Sequence, residues 1–246
     1  MSRLEGFFIQ KLHKTKKIRG IKKNIWKIII LFILLFVEGN NLSQSDFILR
    51  RLHSLTGVVP VGLFLLEHIF TISLGIFGAC YFNAATEFFS KIPVKGFIEV
   101  FFIAIPLIFH AGYGLYVALL SKNNVTTYSC FRNWTFFLQR ITAYIAFAFI
   151  IWHVWALRLG GAGLGSVSTF EQLAQIMSNP CYFIIHIIGY LAVVFHLCNG
   201  LWGFLITWGI TTGERAQTIS QVLCLSLCVL LAILGIVAVV LFKGGI

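Results

Sequence analysis

Residues 107–114 read LIFHAGYG. His110 stands inside a run of about 20 apolar residues, the length that crosses a bilayer. An imidazole in hydrocarbon is costly unless it is paired or liganded, so an ionisable residue at that depth is read first as part of a site. Gly112 and Gly114 follow it and leave room for something large to come close to the backbone. If His110 is a ligand, other apolar runs should carry partners at matching depth.

Composition places the chain in a membrane. It has 246 residues, 59% of them hydrophobic and 11% charged, with a mean hydropathy of +0.91. A soluble domain carries roughly 25% charged residues. A net charge of +11 raises the question of nucleic acid, and the placement of the charge excludes it. Eleven of the 19 Lys and Arg precede His53, and the other eight sit at the ends of apolar runs. Topology selection produces that pattern; a binding stripe does not. Twenty-five Phe could line a large apolar cofactor, and lipid-facing packing explains them equally well. The six Cys (80, 130, 181, 198, 224 and 228) form no C-x-x-C pair and no C-x-x-C-H haem-attachment motif. They read as small packing residues.

Residues 1–46 form a basic N-terminal extension, with Lys11, Lys14, Lys16, Lys17, Arg19, Lys22 and Lys23 ahead of a short apolar segment, Ile25 to Val37. That segment is too short for an ordinary span and suits a signal-peptide core or a surface helix. Residues 47–246 hold five long apolar runs: Leu52 to Phe77, Phe97 to Leu120, Phe136 to Leu157, Tyr182 to Ile206 and Ile219 to Leu241. Each suits one transmembrane helix. The connections read as short, except Arg158 to Cys181, which holds GGAGLGS and a polar, helix-like STFEQLAQIM. Arg50, Arg51, Lys122, Arg132, Arg140 and Arg215 fall on one side, and Lys91, Lys95, Arg158 and Lys243 on the other. By the positive-inside rule the first side, and the N-terminus, are cytoplasmic. The expected fold is an all-α membrane protein, a five-transmembrane-helix bundle.

The first four runs carry one central histidine each, His68, His110, His153 and His196, spaced 42, 43 and 43 residues apart. Even spacing in sequence is not even depth, because the chain reverses at each helix. At ~1.5 Å per residue, His68 and His153 lie roughly 24 and 25 Å from the cytoplasmic end, and His110 and His196 roughly 15 Å. The four sort into two depth-matched pairs. Facing histidines inside a bundle suit bis-histidine haem, and two pairs at different depths suit an electron path across the membrane. Ordinary hydrogen bonding between helices is the alternative for each. Zinc fits less well, since only two His share each level without a carboxylate. Gly57, Gly62, Gly112, Gly114, Gly200 and Gly203 flank these histidines and would make room for a porphyrin, or serve small-residue helix packing.

Other polar residues stand near these levels. His53 and Ser54 at the mouth of the first helix, with Gln139 and Arg140 at the opening of the third, could meet haem propionates. Snorkelling at the interface explains Arg140 as well. His186 could bond quinone, relay protons or serve structure. Glu67 points about 100° away from His68 and could orient a neighbouring helix, bind a proton or snorkel.

The motifs RRLHSLTGVVPVG (50–62), LIFHAGYG (107–114), FRNW (131–134), LQRIT (138–142), WHVW (152–155), FHLCNGLW (195–202) and TWGIT (207–211) occur in order. Over residues 47–242 the chain resembles the single-chain, di-haem cytochrome b anchor of bacterial succinate dehydrogenase and fumarate reductase. The resemblance implies a multi-pass protein of the bacterial inner (cytoplasmic) membrane, its five helices enclosing two b-type haems. Motif by motif, it implies a distal haem on His68 and His153 and a proximal haem on His110 and His196. It implies flavoprotein and iron–sulfur partners on the cytoplasmic face. Electrons from succinate would pass through them and the two haems to a quinone, often menaquinone. The quinone site is expected near the distal haem, with Glu87 and His186 as candidates. No flavin or iron–sulfur motif and no dicarboxylate site is read in this chain. Two rivals remain at this level: a cytochrome b subunit of a hydrogenase or formate dehydrogenase, and a transporter with a histidine proton relay.

Overall fold

The structure is a computed structural model that describes residues 42–244. The apolar segment and nearly all of the basic extension expected over residues 1–46 lie outside the described residues. The chain divides into two units between Ile48 and Leu49. The bundle is the second unit.

Among the described residues, five helices are long and apolar enough to cross a membrane: α1 (Ser45–Phe77), α3 (Lys95–Leu120), α4 (Phe131–Arg158), α6 (Pro180–Thr207) and α7 (Glu214–Gly244). Lipid offers backbone groups no partner, so a chain this apolar satisfies them within helices. Each span begins before the apolar run that marks it in the sequence, by seven residues in α1 and five in α4. Polar turns such as Arg132-Asn133 continue the helix past the hydrocarbon, where a count of apolar residues cannot follow them. Outward-facing side chains are apolar, with Ile108 72% and Phe70 63% exposed. In water such a surface would aggregate; in lipid it is the solvated face.

Two shorter helices close one end of the bundle. The connection after α1, expected to be short, holds α2 (Ala79–Ser90). Gly78, at φ 113°, makes the turn between them, a conformation that L side chains rarely adopt. The stretch read as a polar helix is α5 (Phe170–Met177), started by a capping box between Thr169 and Gln172. Its inner side is apolar. Phe170, Leu173, Ile176 and Met177 are buried with Phe82 of α2 and Phe242 of α7 in one core cluster. Asn83 Oδ1 accepts from the Phe170 backbone N–H over 2.8 Å and ties α2 to the start of α5.

In the bundle, α6 packs between α4 and α7, and α1 packs against α3, α6 and α7. A second cluster, Ile69, Val194, Cys198 and Leu231, joins α1, α6 and α7. At Gly235 of α7 a Cβ would run into the Tyr190 ring, so only glycine lets α6 approach that closely. The Tyr190 hydroxyl donates to the Leu231 carbonyl over 2.5 Å. The four histidine-bearing helices are thus α1, α3, α4 and α6, with α7 as a brace.

Three spans contain π-helical turns: Gly57–Gly62, Glu99–Ala104 and Val154–Arg158. Pro60 explains the first, because it has no N–H for the carbonyl one turn earlier and the helix widens around it. The third begins directly after His153. Such widened turns recur at functional sites.

Candidate functional site

The bundle brings the four histidines together in two pairs. Near the end of the bundle that carries His53, the His110 and His196 rings lie 6.1 Å apart, centroid to centroid, with planes at 82°. Toward the Arg158 end, His68 and His153 lie 6.0 Å apart at 83°. Depth counted from the sequence makes the same pairing.

The first pair is oriented by main chain. His110 Nδ1 lies 2.9 Å from the His53 carbonyl, and His196 Nδ1 lies 3.2 Å from the Gln139 carbonyl. A carbonyl only accepts, so each Nδ1 carries the proton and donates, and each Nε2 is left with its lone pair. Gln139 returns the bond: its Nε2 donates to the His196 carbonyl over 3.0 Å. The Gln139 Oε1 accepts from Asn199 Nδ2 over 2.8 Å. On the α1 side the His53 ring stacks on His110, 4.3 Å away and within 6° of parallel. Gly57 is what lets His110 in, because a Cβ there would sit inside the imidazole.

The second pair is held by rings. Phe149 lies 5.3 Å from His153 and 5.7 Å from His186, and His186 lies 5.4 Å from His153. Phe149 reaches this place because Gly189 of α6 has no Cβ for its ring to strike. His153 Nδ1 and His186 Nε2 are both buried without a hydrogen-bond partner. His186 Nδ1 donates to the Tyr182 carbonyl over 2.8 Å.

The donor set fits a b-type haem at each pair. A metal–imidazole nitrogen bond is about 2 Å long, so two imidazoles on opposite sides of one metal have centroids roughly 6 Å apart. Both pairs stand at that separation. Among the described residues no group of three or more His, Cys, Asp or Glu converges as a metal site. Two-residue sites suit a group that brings its own equatorial nitrogens better than they suit zinc. The proton placement at His110 and His196 leaves the nitrogens a haem iron requires.

The remaining sequence candidates divide. Ser54 Oγ donates to the Arg51 carbonyl over 3.0 Å and accepts from Trp208 Nε1 over 3.0 Å. Arg140 Nη1 donates to Ser121 Oγ over 2.9 Å and to the Lys122 carbonyl over 3.3 Å, and its guanidinium covers the Phe136 ring. Gln139 and Arg140 stand more than two turns inside α4 rather than at its opening. Glu67 accepts from Thr71 of its own helix over 2.7 Å, not from a neighbouring one. Glu87 lies exposed on α2 with Lys91 Nζ 2.6 Å away. Lys91 holds the Glu87 carboxyl below the usual carboxylate range through that hydrogen bond and its charge.

The six glycines do not share one purpose. Gly57 faces His110, Gly62 faces Leu197 and the Gly57 carbonyl, Gly114 faces His53, and Gly200 faces Gln139. These four let protein groups meet. Gly112 and Gly203 alone face open space.

Comparison with known proteins bears on the whole arrangement. Residues 121–235 match the family model described as the succinate dehydrogenase/fumarate reductase transmembrane subunit. That match includes His153 and His196. The chain is 44% identical over 199 residues to the succinate dehydrogenase cytochrome b558 subunit of Bacillus subtilis (strain 168). The alignment covers 81% of this chain and 98% of the relative.

Proposed function

The chain belongs to the transmembrane-subunit family of succinate dehydrogenase and fumarate reductase, and from that premise we propose that it is the haem-bearing anchor that delivers electrons to a quinone in the membrane. The observation that carries the reading is the repeated geometry: two histidine pairs, each about one bis-imidazole metal site apart, at successive levels of one bundle. His110 and His196 would hold one b-type haem, and His68 and His153 the other. Bound there, the haems supply one-electron redox chemistry that no side chain of the bundle provides.

The chain's own residues set the conditions for that chemistry. The carbonyls of His53 and Gln139 fix the tautomers of His110 and His196 and make their Nε2 atoms better donors. The Gln139–Asn199 clamp keeps α4 and α6 from sliding past each other at this level. Phe149, Trp152 and Tyr182 pack around His153 and His186 and exclude water from the second pair. His53, Ser54 and Arg140 stand toward one end of the first pair, where we assign them to the acid groups of the haem. Arg140 brings the fixed positive fork that suits a carboxylate.

The same reading places the basic end of the bundle in the cytoplasm of a bacterial inner membrane. The flavoprotein and iron–sulfur subunits would dock on that end. Arg132 and Arg51, which cover the Trp202 and Trp208 rings, mark it. A quinone, menaquinone in particular, would be reduced near the second pair. The test is to isolate the tagged chain from its native membrane and add succinate. The reading predicts co-isolated flavin and iron–sulfur subunits and a haem band that succinate reduces. A preparation whose haem succinate leaves oxidised contradicts it.

A further inference from the structure

The three histidines of α4 and α6, His153, His186 and His196, differ in what they are bonded to. His196 has a main-chain partner for Nδ1. His153 has a buried Nδ1 with no partner, and His186 a buried Nε2 with no partner. The two rings are neighbours, 5.4 Å apart at 68°.

The chemistry of the two orphaned atoms is complementary. The Tyr182 carbonyl takes the proton of His186 on Nδ1, so the orphaned His186 Nε2 is an acceptor. His153, with Nε2 committed to a metal, carries its proton on Nδ1, so its orphaned atom is a donor. A buried donor without an acceptor and a buried acceptor without a donor are each unfavourable, and one hydrogen bond between these neighbouring rings would satisfy both. His186 is only 6% exposed and is enclosed by Phe149 and Trp152.

We infer that His186 is a positioning residue for the second pair: its Nε2 accepts the Nδ1–H of His153, forming a chain from His153 through His186 to the Tyr182 carbonyl. This rests on the assignment of His153 as an iron ligand. It differs from the first pair, where carbonyls play that part. An imidazole nitrogen is a stronger base than an amide carbonyl, so His153 gains imidazolate character and favours the ferric state. A π turn starts at Val154, directly after His153.

The experiment is a redox titration of the assembled complex, followed optically, with His186→Phe and His186→Gln. Phenylalanine keeps the ring and removes the acceptor; glutamine supplies an acceptor oxygen. Expected for His186→Phe are two haems and a several-fold shift of one haem's equilibrium toward ferrous, the other haem unmoved. His186→Gln should restore most of that shift. Two haems with unchanged potentials in His186→Phe overturn the inference, as does loss of the same haem in both variants, which would mean that shape alone matters. His153→Leu separates the two levels. If that variant keeps both haems, the ligand assignment itself is wrong; if it loses one while His186→Phe changes nothing, only the role of His186 is.

Discussion

Gln139 and His196 hold each other twice: the Gln139 amide donates to the His196 carbonyl over 3.0 Å, and the His196 ring donates to the Gln139 carbonyl over 3.2 Å. The clamp joins α4 to α6 at the level of the first pair, and one of its two bonds draws on Gln139 only through its main-chain carbonyl. Gln139→Leu therefore removes the amide bonds to His196 and Asn199 but leaves the ring anchored. Interhelical hydrogen bonds in membranes are worth about 0.6 kcal/mol on average and up to ~1.7. The variant should lose about 1 kcal/mol of stability and keep both of the proposed haems. Denaturant titration followed at the haem band measures this; an unchanged midpoint would remove Gln139 from the clamp.

Gly57 and Gly112 both neighbour His110, and substitution should separate them. A methyl group at Gly57 collides with the His110 imidazole, whereas one at Gly112 meets open space. Gly57→Ala is expected to lose or strongly disturb the haem at the first pair, with an overpacking cost of about 1–3 kcal/mol. Gly112→Ala should leave the first-pair spectrum in place. Low-temperature difference spectra of the two variants check this, and equal spectra would contradict the contact.

Gly189→Ala makes the corresponding test at the second pair. The added methyl group meets the Phe149 ring, which packs on both His153 and His186. On the proposed assignment, a haem held by His68 and His153 should change its absorption and its ferric magnetic-resonance signal, while one at the first pair keeps its own. A change confined to the first pair would sink this account of Phe149.

The exposed Glu87–Lys91 pair gives a pH dependence with a definite sign. Lys91 lowers the Glu87 carboxyl below its ordinary range, so the pair's contribution is present above the unfolded value. It is lost as pH falls through the lower folded value. Glu87→Gln should differ from the parent in the hydrogen exchange of α2 at neutral pH and match it in acid. Both side chains are well exposed, at 64% and 71%, so the neutral difference should be small. A difference that grows in acid would contradict the assignment.

The spans and the histidine pairs were legible because both follow from counting. Apolar length sets the number of crossings, and the rise per residue sets the level of His68, His110, His153 and His196. Helix α2 was not legible as a helix of its own, since ACYFNAATEFFS is neither long nor apolar enough to stand out. Its place depends on Phe82 meeting Phe170 and Phe242, far away in sequence. The ring anchors of the first pair were hidden for another reason. They are the carbonyls of His53 and Gln139, and a carbonyl is common to every residue. The glycines were visible as gaps, but a gap does not announce its occupant. Gly57 and Gly114 admit imidazoles, and Gly189, which the sequence did not single out, admits Phe149.

The most direct test of the two-pair arrangement is the residual spectrum of four single variants in the assembled complex. His110→Leu and His196→Leu should each retain one haem with the same spectrum and potential. His68→Leu and His153→Leu should each retain the other. A His110→Leu complex whose remaining haem matches that of His68→Leu, or that still holds two, would contradict the pairing.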